Sequence, residues 1–412
     1  MPTPRTRTDT VNAAIHNLIC VAALVISVIG PPAASSATKA DRLNRPSYDY
    51  SSADKYLDLY AVALAPDRQP HALVSMKVPD ATERIGELAV LRQSAGNSRM
   101  LEAVALDDSF ALTTFMRFAV GSDDRSFYAL AFSHVASDLR LRIHDRTGAK
   151  VSEALIEDDI KLPLRLLSDA SGFILVTPHQ LLRVDSDARI VHRFGLREGT
   201  FADALLLPVR DCPLLTLVKS REDDEHVSLE RRCVDAEFTI HSVVDLAPGG
   251  SHRRPRLTAA TRPLAALVSE PGGTERGTWT INTCSFTEWK PRCSARTISG
   301  VPFNPIQLQD GLQVLELAGG SLEVTALSTG AQKLWHGRYG ADGEGPSTRE
   351  EALPIVPGGY TIGHHALMTR TKGQVWTALA YMRVWGDRAP EGKRSHSAAD
   401  MHISLYKEAA PR

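Results

Sequence analysis

The sequence lacks a charge excess of either sign. Lysine and arginine number 47 against 48 aspartate and glutamate in 412 residues. No arm of the chain gathers one sign, which argues against a nucleic-acid or anionic-membrane binder. It also lacks a spanning hydrophobic segment near its start: Leu18 to Gly30 (LICVAALVISVIG) is thirteen residues long, where a membrane helix needs roughly 20. No CxxC pair occurs, which counts against a zinc site. A phosphate loop, a G-x-S-x-G elbow, an H-E-x-x-H pair and a dinucleotide fingerprint are all missing, so common nucleotide and hydrolase classes are disfavoured. Sites assembled from scattered loops would leave no such motif.

What the N-terminus does carry is an export pattern. Arg5 and Arg7 precede the apolar run, and Pro31-Pro32 and the small residues Ala33 to Ala37 follow it. A basic start, a short apolar core and a small-residue exit predict a signal peptide over 1–37, cleaved near Ala37. Cys20 follows Ile19 rather than a small residue, so no lipid anchor is expected. The reading is a secreted or periplasmic protein without stable membrane insertion after cleavage: a 38–53 extension, one domain over 54–407 and a 408–412 tail. Cysteine placement agrees with that address. Cys212 and Cys233 flank the polar turn Arg221–Glu225, and Cys284 and Cys293 flank Thr287–Pro291. Positions opposite each other in an antiparallel hairpin lie roughly 4.5–5.5 Å apart, within disulfide reach. Two disulfides, Cys212–Cys233 and Cys284–Cys293, are therefore expected, in keeping with an oxidising compartment.

Past residue 50 the chain consists of short apolar or β-branched runs separated by Gly, Asp, Ser and Pro turns. Gly172–Thr177, Gln180–Asp185 and Arg189–Phe194 read as three strands joined by tight turns, and Ser126–Leu155 repeats the scheme. Leu312–Leu317, Ser321–Leu327 and Ala331–Trp335 form a third copy. Last strands fall near 99, 149, 189, 237, 293, 331 and 400, with spacings centred on the ~40–50 residues of a propeller blade. Leading strands are expected at Tyr56–Ala63, Phe110–Phe118, Leu162–Leu167, Phe201–Pro208, Arg254–Ala259, Pro305–Leu308 and Glu351–Val356. The fold class is all-β, a β-propeller of four-stranded antiparallel blades. Seven blades fit the tally best, and six or eight are compatible with it.

Two connectors carry a family resemblance. His336–Pro346 (HGRYGADGEGP) resembles the Gly-rich loop that enters each blade of NHL-type and related six-bladed bacterial propellers, and Phe194–Phe201 (FGLREGTF) is a weaker echo. The resemblance implies an architectural loop crossing from the outer strand of one blade to the inner strand of the next. It carries no catalytic residue with it.

Blade register assigns chemistry to faces. Blade-to-blade loops share one face with the loops inside the middle hairpins, and propeller ligands typically sit there, over the channel. That face is expected to display Asp107, Asp108, Asp158 and Asp159, weak candidates for Ca²⁺ and otherwise solvated turn residues. No cofactor is otherwise expected. It would also display the acidic turn Glu222–Glu225, the basic residue Arg254, and His336 and Arg338. Inner strands place Arg117 and Arg165 at comparable points of adjacent blades. Two guanidiniums there would suit an acidic ligand, or each is tied to a nearby carboxylate, such as Asp169 for Arg165.

Two functions follow. The first is an exported, monomeric binding module for a protein or glycan on the loop face over the channel. The second is an extracellular hydrolase or lyase acting on an acidic polymer, with Arg117 and Arg165 as substrate clamps.

Overall fold

In the computed structural model the described residues lie within 47–408, excluding 53–55, 66–68, 78–84, 97–99, 112–114, 122–127, 134–137, 159–161, 170–171, 186, 208, 221–226, 247–252, 260–263, 271–278, 286–291, 301–311, 317–320, 329–332, 342–346, 353–358, 372–373 and 386–398. For some strand residues, Asp107, Asp108, Arg254, His336 and all of 349–408 among them, only the backbone path is described. The proposed signal peptide, Asp159 and the Glu222–Glu225 turn lie outside the described residues.

Strand β1 (Ser47–Ser52) pairs with the last strand, and six complete four-stranded sheets follow it in sequence. Blade 1 comprises β2 (Tyr56–Leu64), β3 (Pro70–Lys77), β4 (Ile85–Gln93) and β5 (Leu101–Ala111). Blade 2 comprises β6 (Phe115–Val120), β7 (Tyr128–Ser133), β8 (Leu139–His144) and β9 (Lys150–Ile156). Blade 3 comprises β10 (Arg165–Asp169), β11 (Gly172–Val176), β12 (Gln180–Val184) and β13 (Ile190–Gly195). Blade 4 holds β14 (Thr200–Leu206), β15 (Leu214–Lys219), β16 (Val227–Arg232) and β17 (Ile240–Leu246). Blade 5 holds β18 (Arg253–Ala259), β19 (Leu264–Glu270), β20 (Trp279–Ser285) and β21 (Arg292–Ile298). Blade 6 holds β22 (Leu312–Glu316), β23 (Leu322–Ser328), β24 (Lys333–Tyr339) and β25 (Ser347–Ala352). The seventh sheet contains β26 (Gly359–Thr371), β27 (Gln374–Trp385), β28 (Ala399–Glu408) and, outermost, β1.

First strands form the inner ring: β2 packs on β6, β6 on β10, β10 on β14, β14 on β18 and β18 on β22, while β26 lies against β2. The described residues form a β-propeller with seven four-stranded sheets, the last of them completed by the N-terminal strand. The residues read as an extension, 38–53, thus include the outer strand of the last sheet, and the strand near 400 is its third strand rather than its last.

Middle strands explain why the sequence runs so continuously apolar. In β11, Phe173 and Leu175 face a core shared with Leu139, Leu141 and Ile143 of blade 2. Ile174 and Val176 of the same strand face Leu214 and Phe238 of blade 4. A middle strand buries both faces, so alternation disappears, and each fully buried Leu, Ile or Phe contributes roughly 1.5–3 kcal/mol. Outer strand β13 borders solvent and alternates half-buried with exposed positions.

One turn recurs in three consecutive blades. Asp145 Oδ1 accepts from the amides of Thr147 and Ala149 at 2.8 and 3.1 Å, Asp185 Oδ1 from Asp187 and Arg189 at 2.9 and 2.8 Å, and Asp235 Oδ1 from Glu237 and Thr239 at 3.2 and 2.9 Å. Three residues after each Asp the backbone turns left-handed, at Gly148 (φ 91°), Ala188 (58°) and Phe238 (50°). At Gly148 a Cβ would meet the Ala105 carbonyl oxygen of blade 1 at 1.9 Å, so glycine is required there by both φ and space.

The Gly-rich stretch His336–Pro346 corrects an expectation. β24 and β25 pair antiparallel, from Lys333↔Ala352 to Arg338↔Ser347, so this loop closes a hairpin within blade 6 and does not cross between blades. Leu312–Glu316 is the inner strand of that blade, while Pro305–Leu308 lies outside the described residues, and 347–352 forms the blade's outer strand instead of opening the next. Phe194–Phe201 does cross, from β13 to β14. Among the described residues no helix is long and apolar enough to cross a membrane.

Candidate functional site

The inner-strand arginines are joined to neighbouring blades. Arg165 opens β10 and clasps Asp203 of β14 with two bonds, Nε to Oδ1 at 2.6 Å and Nη2 to Oδ2 at 3.2 Å. Asp203 is buried in an otherwise apolar strand, with a side chain 1% exposed. Its oxygens also accept the amides of Ala204 and of Leu257 in β18, both at 2.9 Å. One carboxylate therefore ties blades 3, 4 and 5. Arg117 of β6 donates to the carbonyls of Leu164 and Met116, at 2.7 and 2.8 Å, linking blades 2 and 3. The expected partner Asp169 lies instead 3.8 Å from Arg183.

The other candidates are spread out. Arg254 stands at the loop-face end of β18, where the register shifts between Arg253 and Arg256. His336 and Arg338 lie in β24, towards the third-to-fourth-strand turn and so the opposite face. Arg338 is 3.7 Å from Glu323. Asp107 and Asp108 sit inside β5 at a register shift opposite β4 and not in a blade-to-blade loop. Among the described residues no group of three or more His, Cys, Asp or Glu is placed to hold a metal ion.

Asp158 is where the acidic reading meets a real cleft. Its carboxylate is fully buried (0% exposed), too enclosed to serve as a solvated turn residue. One oxygen accepts the hydroxyl of Thr177, and the other lies 3.3 Å from His179 Nδ1. The blade 2–3 crossover is thereby pinned to the β11–β12 turn. Beside it opens a cleft of about 420 Å³ on the loop face. Blade 2 and the crossover contribute Asp138, Leu155, Ile156 and Glu157. Blade 3 contributes His179, Gln180 and Arg193. Gln180 Nε2 donates to the Glu157 carbonyl at 2.7 Å, while its buried Oε1 accepts no hydrogen bond among the described residues. The cleft lies between the outer parts of two blades and away from the inner ring.

Carboxylates elsewhere are held ionised. Arg140 and Arg142, at 2.6 and 2.9 Å from Glu153, outweigh the effect of its burial and keep its pKa below the ordinary value. The side-chain hydroxyl of Thr147 depresses Asp145, and the Thr239 amide depresses Asp235. Burial pushes the Tyr339 phenol up to about 12.

Both disulfides are present, Cys212–Cys233 and Cys284–Cys293. They fit an oxidising, extracellular or periplasmic environment.

A seven-sheet β-propeller with a polar inter-blade cleft is the class that fold and site define. No protein-family model matches the chain, and no curated protein matches it in sequence. Among solved structures, the phage phi92 endosialidase is similar over 89% of this chain and 69% of its own, at 7% identity and a TM-score of 0.40. The GH93 α-L-arabinofuranosidase of Fusarium graminearum, solved with arabinobiose, is similar over 88% of this chain and 97% of its own, at 12% identity and a TM-score of 0.39. Likeness at that level carries no chemistry to this chain.

Proposed function

We propose that this protein is an exported binding module that takes a protein or glycan ligand on the loop face of its propeller, at the cleft between blades 2 and 3. The observation that carries the reading is the cleft itself: about 420 Å³, lined mostly by polar residues from two blades, whose crossover and β11–β12 turn the buried Asp158 carboxylate ties together. Rigid walls lower the ordering cost of binding. The inner-ring arginines bear on the choice of site. Arg165 donates to Asp203 of the adjacent blade, and Arg117 to the carbonyls of Leu164 in the adjacent blade and of Met116 in its own strand, which supports a ligand site at the periphery over a clamp above the channel.

A cleft-filling variant tests this. Asp138 has a side chain 47% exposed, so Asp138→Trp introduces bulk at the cleft mouth without entering a core. Peptide and glycan arrays probed with purified wild-type protein should yield ligands whose binding Asp138→Trp weakens by about tenfold or more. Ligands that bind both proteins equally would move the site elsewhere.

A further inference from the structure

The β11–β12 turn at the cleft is held from both sides. Within it, the Thr177 amide donates to the Gln180 carbonyl at 3.0 Å, and the Gln180 amide donates to Thr177 Oγ1 at 3.0 Å. On the blade 4 side, the amides of Phe201 and Leu196 donate to the carbonyls of Pro178 and His179, at 2.7 and 2.8 Å. On the blade 2 side, Asp158 takes the Thr177 hydroxyl and faces His179 Nδ1 at 3.3 Å. The backbone of His179 is thus fixed, and its ring is fixed with it. A carboxylate only accepts, so Nδ1 carries the hydrogen, and in the neutral ring Nε2 keeps the lone pair. The ring lines the cleft and is 31% exposed, while the carboxylate behind Nδ1 is fully buried. The exposed part is therefore the far edge, which carries Nε2, and Nε2 has no hydrogen-bond partner among the described residues.

We infer that His179 is the specificity-determining residue of the cleft, its Nε2 accepting a hydrogen bond from a hydroxyl or N–H group of the ligand. The inference rests on the reading that this cleft is the binding site. Asp158 acts through His179 as a positioning residue, setting which ring nitrogen faces the ligand and in what direction. An acceptor fixed before binding loses little rotamer freedom when the ligand arrives. A ligand that presents no donor there leaves the acceptor desolvated and unpaired, which selects against it. A sugar hydroxyl and a peptide N–H share this chemistry, and the test separates them.

The deciding variant is His179→Asn, tested on the same glycan and peptide arrays with the disulfide-bonded protein. Asparagine keeps an N–H for Asp158, so the clasp survives, but it places nothing where Nε2 stood. Glycans or peptides that bind wild type should bind His179→Asn about tenfold more weakly, with a melting midpoint close to wild type. His179→Gln, whose amide reaches the Nε2 position, should recover part of the binding. A merely structural histidine predicts the opposite order, with Asn tolerated and Gln not. Loss confined to glycans assigns the donor to a hydroxyl, and loss confined to peptides assigns it to an N–H. Nitrogen NMR of the histidine-labelled protein provides a check that needs no ligand: the neutral His179 ring should carry its hydrogen on Nδ1. Hydrogen on Nε2, or unchanged binding in His179→Asn, would overturn the inference. If array ligands are lost in Asp138→Trp yet bind His179→Asn as they bind wild type, this inference falls and the cleft remains the site. If no array ligand is found, or none responds to either variant, both fall.

Discussion

Replacing Arg165 with alanine would strip a buried carboxylate of its counter-charge at the junction of three blades. Asp203 keeps two amide donors, from Ala204 and Leu257, but loses the two-bonded guanidinium. Breaking a buried pair by removing one partner costs about 3–5 kcal/mol. Arg165 is itself 21% exposed, so water can partly replace it, and the lower end, about 3 kcal/mol, is the expectation. The double variant Arg165→Met/Asp203→Leu removes both charges and should cost less than the sum of the two single changes, because no charge is left stranded. The assay is urea unfolding of the four proteins followed by circular dichroism, with slopes compared to confirm a shared mechanism. An Arg165→Ala variant within about 0.5 kcal/mol of wild type, the scale of an ordinary surface substitution, would refute the argument that this pair joins the blades.

Gly148→Ala combines a left-handed φ of 91° with a Cβ 1.9 Å from the Ala105 carbonyl oxygen, and should lose about 2 kcal/mol or more in the same assay. Asp145, Glu153 and Asp235 have carboxyls depressed in the folded state. Their stabilisation is therefore complete above the unfolded carboxylate pKa of about 4 and disappears as pH falls through the lower folded values. Urea midpoints should hold from pH 7 to about 5 and drop below 4, and Asp145→Asn/Asp235→Asn should flatten that drop. Opening the Cys212–Cys233 loop, separation 21, should cost about 3 kcal/mol, against about 2.5 for Cys284–Cys293, separation 9, as read from Cys-to-Ser pairs by denaturant unfolding.

Local pattern was enough for most of the strands. β15 and β16 occupy the Leu214–Lys219 and Val227–Arg232 runs that the apolar pattern marks, and the leading strands of blades 1, 3, 4 and 5 lie where the repeat puts them. The failures are non-local. β1 pairs with β28, about 350 residues away in register (Ser47↔Ser404), and nothing near Ser47 signals a sheet at the other end of the chain. The Gly-rich stretch His336–Pro346 resembles a crossover because glycine marks both hairpin turns and blade connectors in sequence, and only the pairing of β24 with β25 tells them apart. For the site, Arg165 is conspicuous in the sequence, but the neighbouring Asp169 pairs with Arg183 and the partner of Arg165 is the distant Asp203. Asp203 stood in Phe201–Pro208 as a lone carboxylate among apolar residues, a signal that a buried cation must come from another blade. The cleft had no such sign, since Gln180 and Arg193 read as ordinary strand residues, and the pocket arises from how two blades lean together.

The most direct test of the account is amide hydrogen exchange, followed by mass spectrometry, on the protein with and without a saturating ligand from the arrays. Binding at the blade 2–3 cleft predicts slowed exchange in 154–158, in the 177–180 turn and along β13. Protection confined to the inner strands around Arg117, Arg165 and Arg254, with those segments unchanged, would contradict it.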